Sequence, residues 1–84
     1  YINDVLPVGS IVTIRFNNDF KIMITGYKPH DSETNITYDY IGVIYPYGFK
    51  GYNATIIFNK DVIKKVHFIG YRNKKLKLII HLAN

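Results

Sequence analysis

Residues 36–45 are apolar on both period-two faces, with Ile36, Tyr38, Tyr40, Gly42 and Ile44 alternating against Thr37, Asp39, Ile41, Val43 and Tyr45. Successive side chains of a strand point to opposite faces, so this pattern predicts a strand inside a sheet rather than at its edge. Pro46 lacks the N–H that a ladder needs and ends the run. Upstream, residues 10–16 alternate, with Val12, Ile14 and Phe16 predicted to face in and Ile11, Thr13 and Arg15 out. Asn17, Asn18 and Asp19 tolerate left-handed backbone and predict the turn of a hairpin. The return strand, residues 20–27, sets Phe20, Ile22, Ile24 and Gly26 on one side.

The remaining elements are shorter. Residues 1–7 read as a lead-in, and Leu6-Pro7-Val8-Gly9 as a turn. A polar loop, residues 28–35, carries Pro29, His30, Asp31 and Glu33. Residues 55–58 form a β-branched and aromatic strand. Asn59 is placed as an N-cap of one or two helical turns, with Asp61 near the positive end and Lys64 and Lys65 near the negative end. Residues 66–71 read as a strand with Val66, Phe68 and Gly70 on one face. In the tail, Leu76, Leu78, Ile80 and Leu82 fit a strand, with Lys75, Lys77 and His81 opposite. A helical stripe of Leu76, Ile79, Ile80 and Ala83 capped by Asn73 leaves Leu78 and Leu82 on the wrong side, so periodicity favours the strand. The expected core is Val12, Ile14, Phe16, Ile22, Ile24, Tyr40, Ile44, Ile57, Phe58, Val62, Val66 and Phe68.

A chain of 84 residues is expected to form a single domain, residues 1–84. It buries only about 60% of its unfolded surface, so its stability is modest. Apolar residues make up 48% of it, enough for a folded globule. The absence of cysteine excludes disulfides, thiolate metal sites and a cysteine nucleophile. No apolar run is long enough to span a bilayer and no signal peptide is visible, so a cytoplasmic location and no membrane partner are expected. Asn35-Ile36-Thr37 and Asn53-Ala54-Thr55 match the glycosylation tripeptide, but nothing else points to secretion. The net charge of +5 is concentrated late, in Lys60, Lys64, Lys65, Arg72, Lys74, Lys75 and Lys77 against Asp61. Such a field attracts an acidic protein surface or a phosphate backbone, or serves as a solvated face.

No catalytic set emerges. His30, His67 and His81 fall on separate elements without ligand spacing, and there is no glycine-rich phosphate loop. Asp39, between two tyrosines, is expected to accept hydrogen bonds from a neighbouring turn rather than to act as an acid or base. The expectation is a protein that is not an enzyme and takes no metal and no cofactor. Aromatics do interleave with charge: Tyr45, Tyr47, Phe49 and Tyr52 surround Lys50, two glycines and Pro46. Single-strand binders stack bases on such rings, but the RNA-recognition signature is absent and the densest basic cluster lies elsewhere, so nucleic acid is disfavoured. Two readings stay open for the loop: rigid anchors for a partner, or a self-packed lid over a barrel mouth. The candidate partner-binding residues are Tyr45, Tyr47, Phe49, Lys50, Tyr52, Arg72, Lys74 and Lys75. An exposed strand edge beside an apolar tail leaves a homodimer open.

Several blocks occur in a familiar order: Leu6-Pro-Val-Gly-Ser-Ile-Val12, Lys21-Ile-Met-Ile-Thr-Gly26, Tyr38-Asp-Tyr-Ile-Gly-Val-Ile-Tyr-Pro-Tyr-Gly48, Phe58-Asn-Lys-Asp-Val-Ile63 and Val66-His-Phe-Ile-Gly-Tyr71. In these the chain resembles domain-of-unknown-function family 4176, small proteins of Gram-positive bacteria encoded beside LXG-type toxins of the type VII (Esx) secretion system. The resemblance implies a cytoplasmic, chaperone-like adaptor that binds a secreted toxin, or its targeting segment, before export. An immunity protein that neutralises the toxin is the alternative. It also implies a helix after Tyr71, against the periodicity. The fold expected is α+β and mainly β: a small curved antiparallel sheet or partly closed barrel of about five strands, with a short helix near Asp61 and a short C-terminal helix.

Overall fold

A computed structural model of the chain describes residues 5–72. Its strands are β1 (Ile11–Ile14), β2 (Asn17–Tyr27), β3 (His30–Asp31), β4 (Ile36–Thr37), β5 (Tyr40–Tyr45), β6 (Ile56–Phe58) and β7 (Ile63–Phe68). Five of them make one antiparallel sheet in the order β6-β5-β2-β1-β7, and β3 pairs with β4 in a separate hairpin. As its two apolar faces predict, β5 lies inside the sheet. The strand is shorter than expected, because Ile36 and Thr37 belong to the β3–β4 hairpin, where a plain loop was predicted. Asn35 turns that hairpin at φ 58°, a conformation asparagine tolerates.

The chain passes from one edge strand to the other through residues 59–62 alone, wound into the 3₁₀ turn Lys60–Val62. A 3₁₀ turn advances only about 2 Å per residue, whereas a flat five-strand sheet is roughly 19 Å across, so the sheet curls. It does not close into a barrel, since no pairing joins β6 to β7. The helix expected near Asp61 is this single turn. Asn59 does not cap it with its own side chain. Instead, Lys60 N–H donates to Asp39 Oδ2 at 2.9 Å while Asp39 N–H donates to Asn59 Oδ1 at 3.1 Å. Asp39 therefore serves a neighbouring turn, as expected of it, with Lys28 Nζ 3.9 Å from its other oxygen. The C-terminal helix, and the strand that periodicity favoured there, lie outside the described residues.

The core fills one face with Leu6, Val12, Ile14, Ile22, Ile24, Tyr40 and Phe58, and with Ile44, Val62 and Val66 packed partly against them. Three expected members are not in it. Ile57 faces the other side of the sheet with its partner Ile41. Phe68 is 58% exposed at the β7 edge, because bulges in the β1–β7 ladder break its alternation with Val66. Phe16 is 80% exposed, since Ile14 pairs with Asn17 and the hairpin turns on Arg15 and Phe16, not on residues 17–19. Arg15 is drawn into that turn by the 3₁₀ segment: its N–H donates to Val62 O at 2.9 Å and its guanidinium to Asp61 O at 3.1 Å. Phe20, next along a ladder that slips here, is likewise pushed outward.

Leu6 enters the core from the lead-in through two tyrosines. Its N–H donates to the Tyr40 hydroxyl at 3.0 Å, and its carbonyl accepts from the Tyr27 hydroxyl at 2.7 Å. Burial is the main force raising both phenol pKa values above 10.0, so both rings are neutral. Gly42 is required by packing: a Cβ there would sit 2.6 Å from both Ile22 Cγ2 and the Met23 carbonyl oxygen.

Candidate functional site: an exposed aromatic end of the sheet

Beyond Tyr45 the Tyr45–Pro46 bond is cis, and the chain doubles back with Gly48 N–H donating to Ile44 O at 2.9 Å. Gly48 and Gly51 adopt φ of 80° and 105°, and a Cβ at either would meet nothing within 4 Å. The backbone conformation, not crowding, calls for glycine at both. A 3₁₀ turn, Tyr52–Ala54, follows, and Thr55 Oγ1 closes it by donating to Tyr52 O at 2.7 Å.

This framework holds its rings in solvent. Tyr45, Tyr47, Phe49 and Tyr52 are 45%, 67%, 61% and 86% exposed. Phe49 meets Tyr52 edge to face at 5.5 Å, and Lys50 Nζ stands 5.0 Å from the Tyr47 ring centre. The reading of the loop as a lid fails, because the open sheet has no barrel mouth to cover.

Two further rings share this end of the sheet. Lys21 pairs with Tyr45 where β5 ends, so Phe20 and the Arg15-Phe16 turn extend past the same margin as residues 46–52. Sequence periodicity assigned Phe16 to the core and set Phe20 on the side of Ile22 and Ile24; the irregular β1–β2 register leaves both rings exposed instead. Arg72 is not brought to the aromatic end. Its charge acts on Tyr27, which pairs with Tyr40 at the opposite end of β5. Lys74 and Lys75 lie outside the described residues.

Among the described residues His30 and His67 lie on separate elements, β3 and β7, and His81 lies outside the described residues. His30 Nδ1 is 3.0 Å from Thr37 Oγ1 within the hairpin, and His67 Nε2 hydrogen-bonds to Thr13 Oγ1 on β1. Desolvation, then the charges of Lys21 and Lys65, hold the His67 pKa below the ordinary imidazole value. Among the described residues no group of three or more His, Cys, Asp or Glu is placed to hold a metal ion, and no helix is long and apolar enough to cross a membrane.

The sequence profile of a family described as Domain of unknown function (DUF4176) matches residues 5–78. The chain belongs to the DUF4176 family. The matched region takes in the whole sheet and the aromatic end of this DUF4176 domain. No curated protein and no solved structure matches the chain.

Proposed function

We propose that this DUF4176 protein is a non-enzymatic, chaperone-like adaptor that binds another polypeptide through its aromatic end. The partner in this reading is an LXG-type toxin of a type VII (Esx) system, or that toxin's targeting segment, held in the cytoplasm before export. The observation that carries the binding role is the set of rings held in solvent on a glycine-shaped, hydrogen-bonded loop. Rigid aromatics lose little entropy on binding and supply most of the energy of protein interfaces. The identity of the partner rests on the family resemblance of the sequence alone.

Strand addition at an edge is the weaker route. β6 has three residues, and β7 carries exposed Lys64 and Lys65, a charge pattern that opposes edge pairing. Phe49→Ala/Tyr52→Ala in the full chain tests the proposal by co-purification with the cognate toxin from the native host. Each lost anchor weakens binding by about 2 kcal/mol, roughly thirty-fold in affinity. Capture of the toxin is expected to disappear while the melting temperature holds. Capture at the wild-type level removes the loop from the interface. Protection of cells from an intracellular toxin, without any effect on export, assigns the immunity role instead.

A further inference from the structure

The strand pairings assemble a cationic cluster beside the aromatic end. Opposed residues of an antiparallel pair share a face, so Lys21 lies beside Tyr45 and Lys65 beside Thr13. Thr13 and Lys21 are each one step beyond the pair Val12 and Ile22, which point into the core, so both turn to the outer face. One row thus crosses four strands: Tyr45, Lys21, Thr13 and Lys65. His67, two residues after Lys65, hydrogen-bonds through Nε2 to the Thr13 hydroxyl. Thr13 is 8% exposed and forms a polar floor, while Lys21, Lys65 and His67 stand in solvent around it. After desolvation, the two lysine charges are what disfavours a proton on His67. No described carboxylate neutralises this cluster. The one ion pair among the described residues, Lys28 with Asp39, lies by the Tyr40 end of β5. Asp19, two residues before Lys21, and Asp61, in the turn before β7, are the nearest acids along the chain, and neither comes within 4.0 Å of these cations.

We propose that this cluster receives a carboxylate of the partner's binding segment, seated over Thr13 between Lys21, Lys65 and His67. The inference rests on the adaptor reading and deepens it: the segment is acidic next to the part that meets the rings. Neighbouring strands lie about 4.8 Å apart, so one anion over Thr13 is in reach of the ammonium groups on both sides. Tyr45 joins the two regions, since it ends the row and is itself one of the exposed rings. From Tyr45 to Lys65 is three strand spacings, about 14 Å, which some four extended residues span. The cluster is compact and offers one anion seat rather than a track for successive phosphates, which favours an acidic peptide over a nucleic-acid strand. An arriving carboxylate favours the imidazolium form of His67. Its Nε2–H then donates to Thr13 Oγ1, and the Thr13 O–H is left to donate to the carboxylate. Binding therefore takes up a proton from solvent. The other charged groups on the strands around His67 are Asp19, Arg15 and Lys64, two of them cationic. Affinity rises as pH falls through the His67 pKa, until the bound carboxylates themselves protonate near pH ~4.

Hexaglutamate and hexaglutamine, each added to the full chain at low salt, test the seat. The chain has 3 histidines, so their imidazole signals can be followed by NMR against pH, with His67→Gln identifying the one that matters. Hexaglutamate should raise the His67 pKa, and hexaglutamine should leave it in place. Lys21→Gln/Lys65→Gln changes two exposed side chains and should keep the melting temperature. It should abolish the response to hexaglutamate and weaken toxin capture about ten-fold. No response of His67 to hexaglutamate, or an equal one in the lysine variant, would overturn the proposal. A stronger response to a thymidine hexanucleotide would make this a phosphate site and overturn it too. Toxin capture by the lysine variant at the wild-type level would overturn the inference and leave the adaptor reading intact. A wild type that captures no toxin yet responds to hexaglutamate would refute the adaptor reading and leave the acid-binding seat standing.

Discussion

Replacing Tyr40 by phenylalanine removes one oxygen from a side chain that is 3% exposed and leaves its packing against Tyr27 and Phe58 in place. That oxygen accepts from the Leu6 N–H, and Leu6 is also 3% exposed, so the amide has no route to water. An orphaned buried donor costs about 1–3 kcal/mol, while the slightly more apolar ring returns little. Taking about 2 kcal/mol, and about 4–8 °C per kcal/mol for a domain of this size, the melting temperature should fall by roughly 8–16 °C. The loss is large against a total stability of about 4–13 kcal/mol at the usual value per residue. Far-UV circular dichroism melts and urea titrations measure it, with the urea midpoint lowered and its slope unchanged. Tyr52→Phe, at a ring 86% exposed, should move neither quantity. A Tyr40→Phe melt indistinguishable from the wild type would show that the Leu6 amide is not held as described, and with it the account of how the lead-in joins the core.

Other perturbations follow from the same packing. Gly42→Ala sets a methyl 2.6 Å from a backbone oxygen as well as from a side chain, and should cost about 1–3 kcal/mol in urea titrations; an unchanged midpoint would refute the close approach of β5 to β2. Tyr27 and Tyr40 have folded pKa values raised above 10.0 by burial, so the stability they contribute is complete below that pH and is lost as pH rises through the raised values. Urea titrations at increasing alkalinity should show this decline, and Tyr40→Phe should make it shallower; an equally steep decline in the variant would assign it to other groups.

The parts of the fold legible in sequence were those that depend on nearest neighbours along the strand. Alternation located β5, the buried Ile22 and Ile24 of β2, and the end of β5 at Pro46. The β1–β2 turn was displaced because its position is decided by a distant contact, Arg15 with Val62 and Asp61, which no local pattern records. Phe16 and Phe20 were lost for the same reason: one irregularity in register changes the face of every residue beyond it. Leu6 was missed because its burial depends on two hydroxyls brought from residues 27 and 40. In the candidate site, the aromatic density and glycine spacing of residues 45–52 were visible at once. Whether those rings were covered was not, since that turned on whether the sheet closed. Arg72 was grouped with them by charge alone, and the fold carries it to the opposite end.

The pairing of β1 with β7 has a consequence for synthesis. β1 is the second strand from one edge of the sheet, yet its outer partner is residues 63–68. Until those residues have left the ribosome, the first hairpin carries an unpaired border, and the Ser10 hydroxyl lacks the Gly70 amide. Topologies dominated by such distant pairings fold slowly, on the order of milliseconds to seconds. The nascent chain therefore holds half a sheet with one raw margin, and a holding chaperone acting during translation would engage it there.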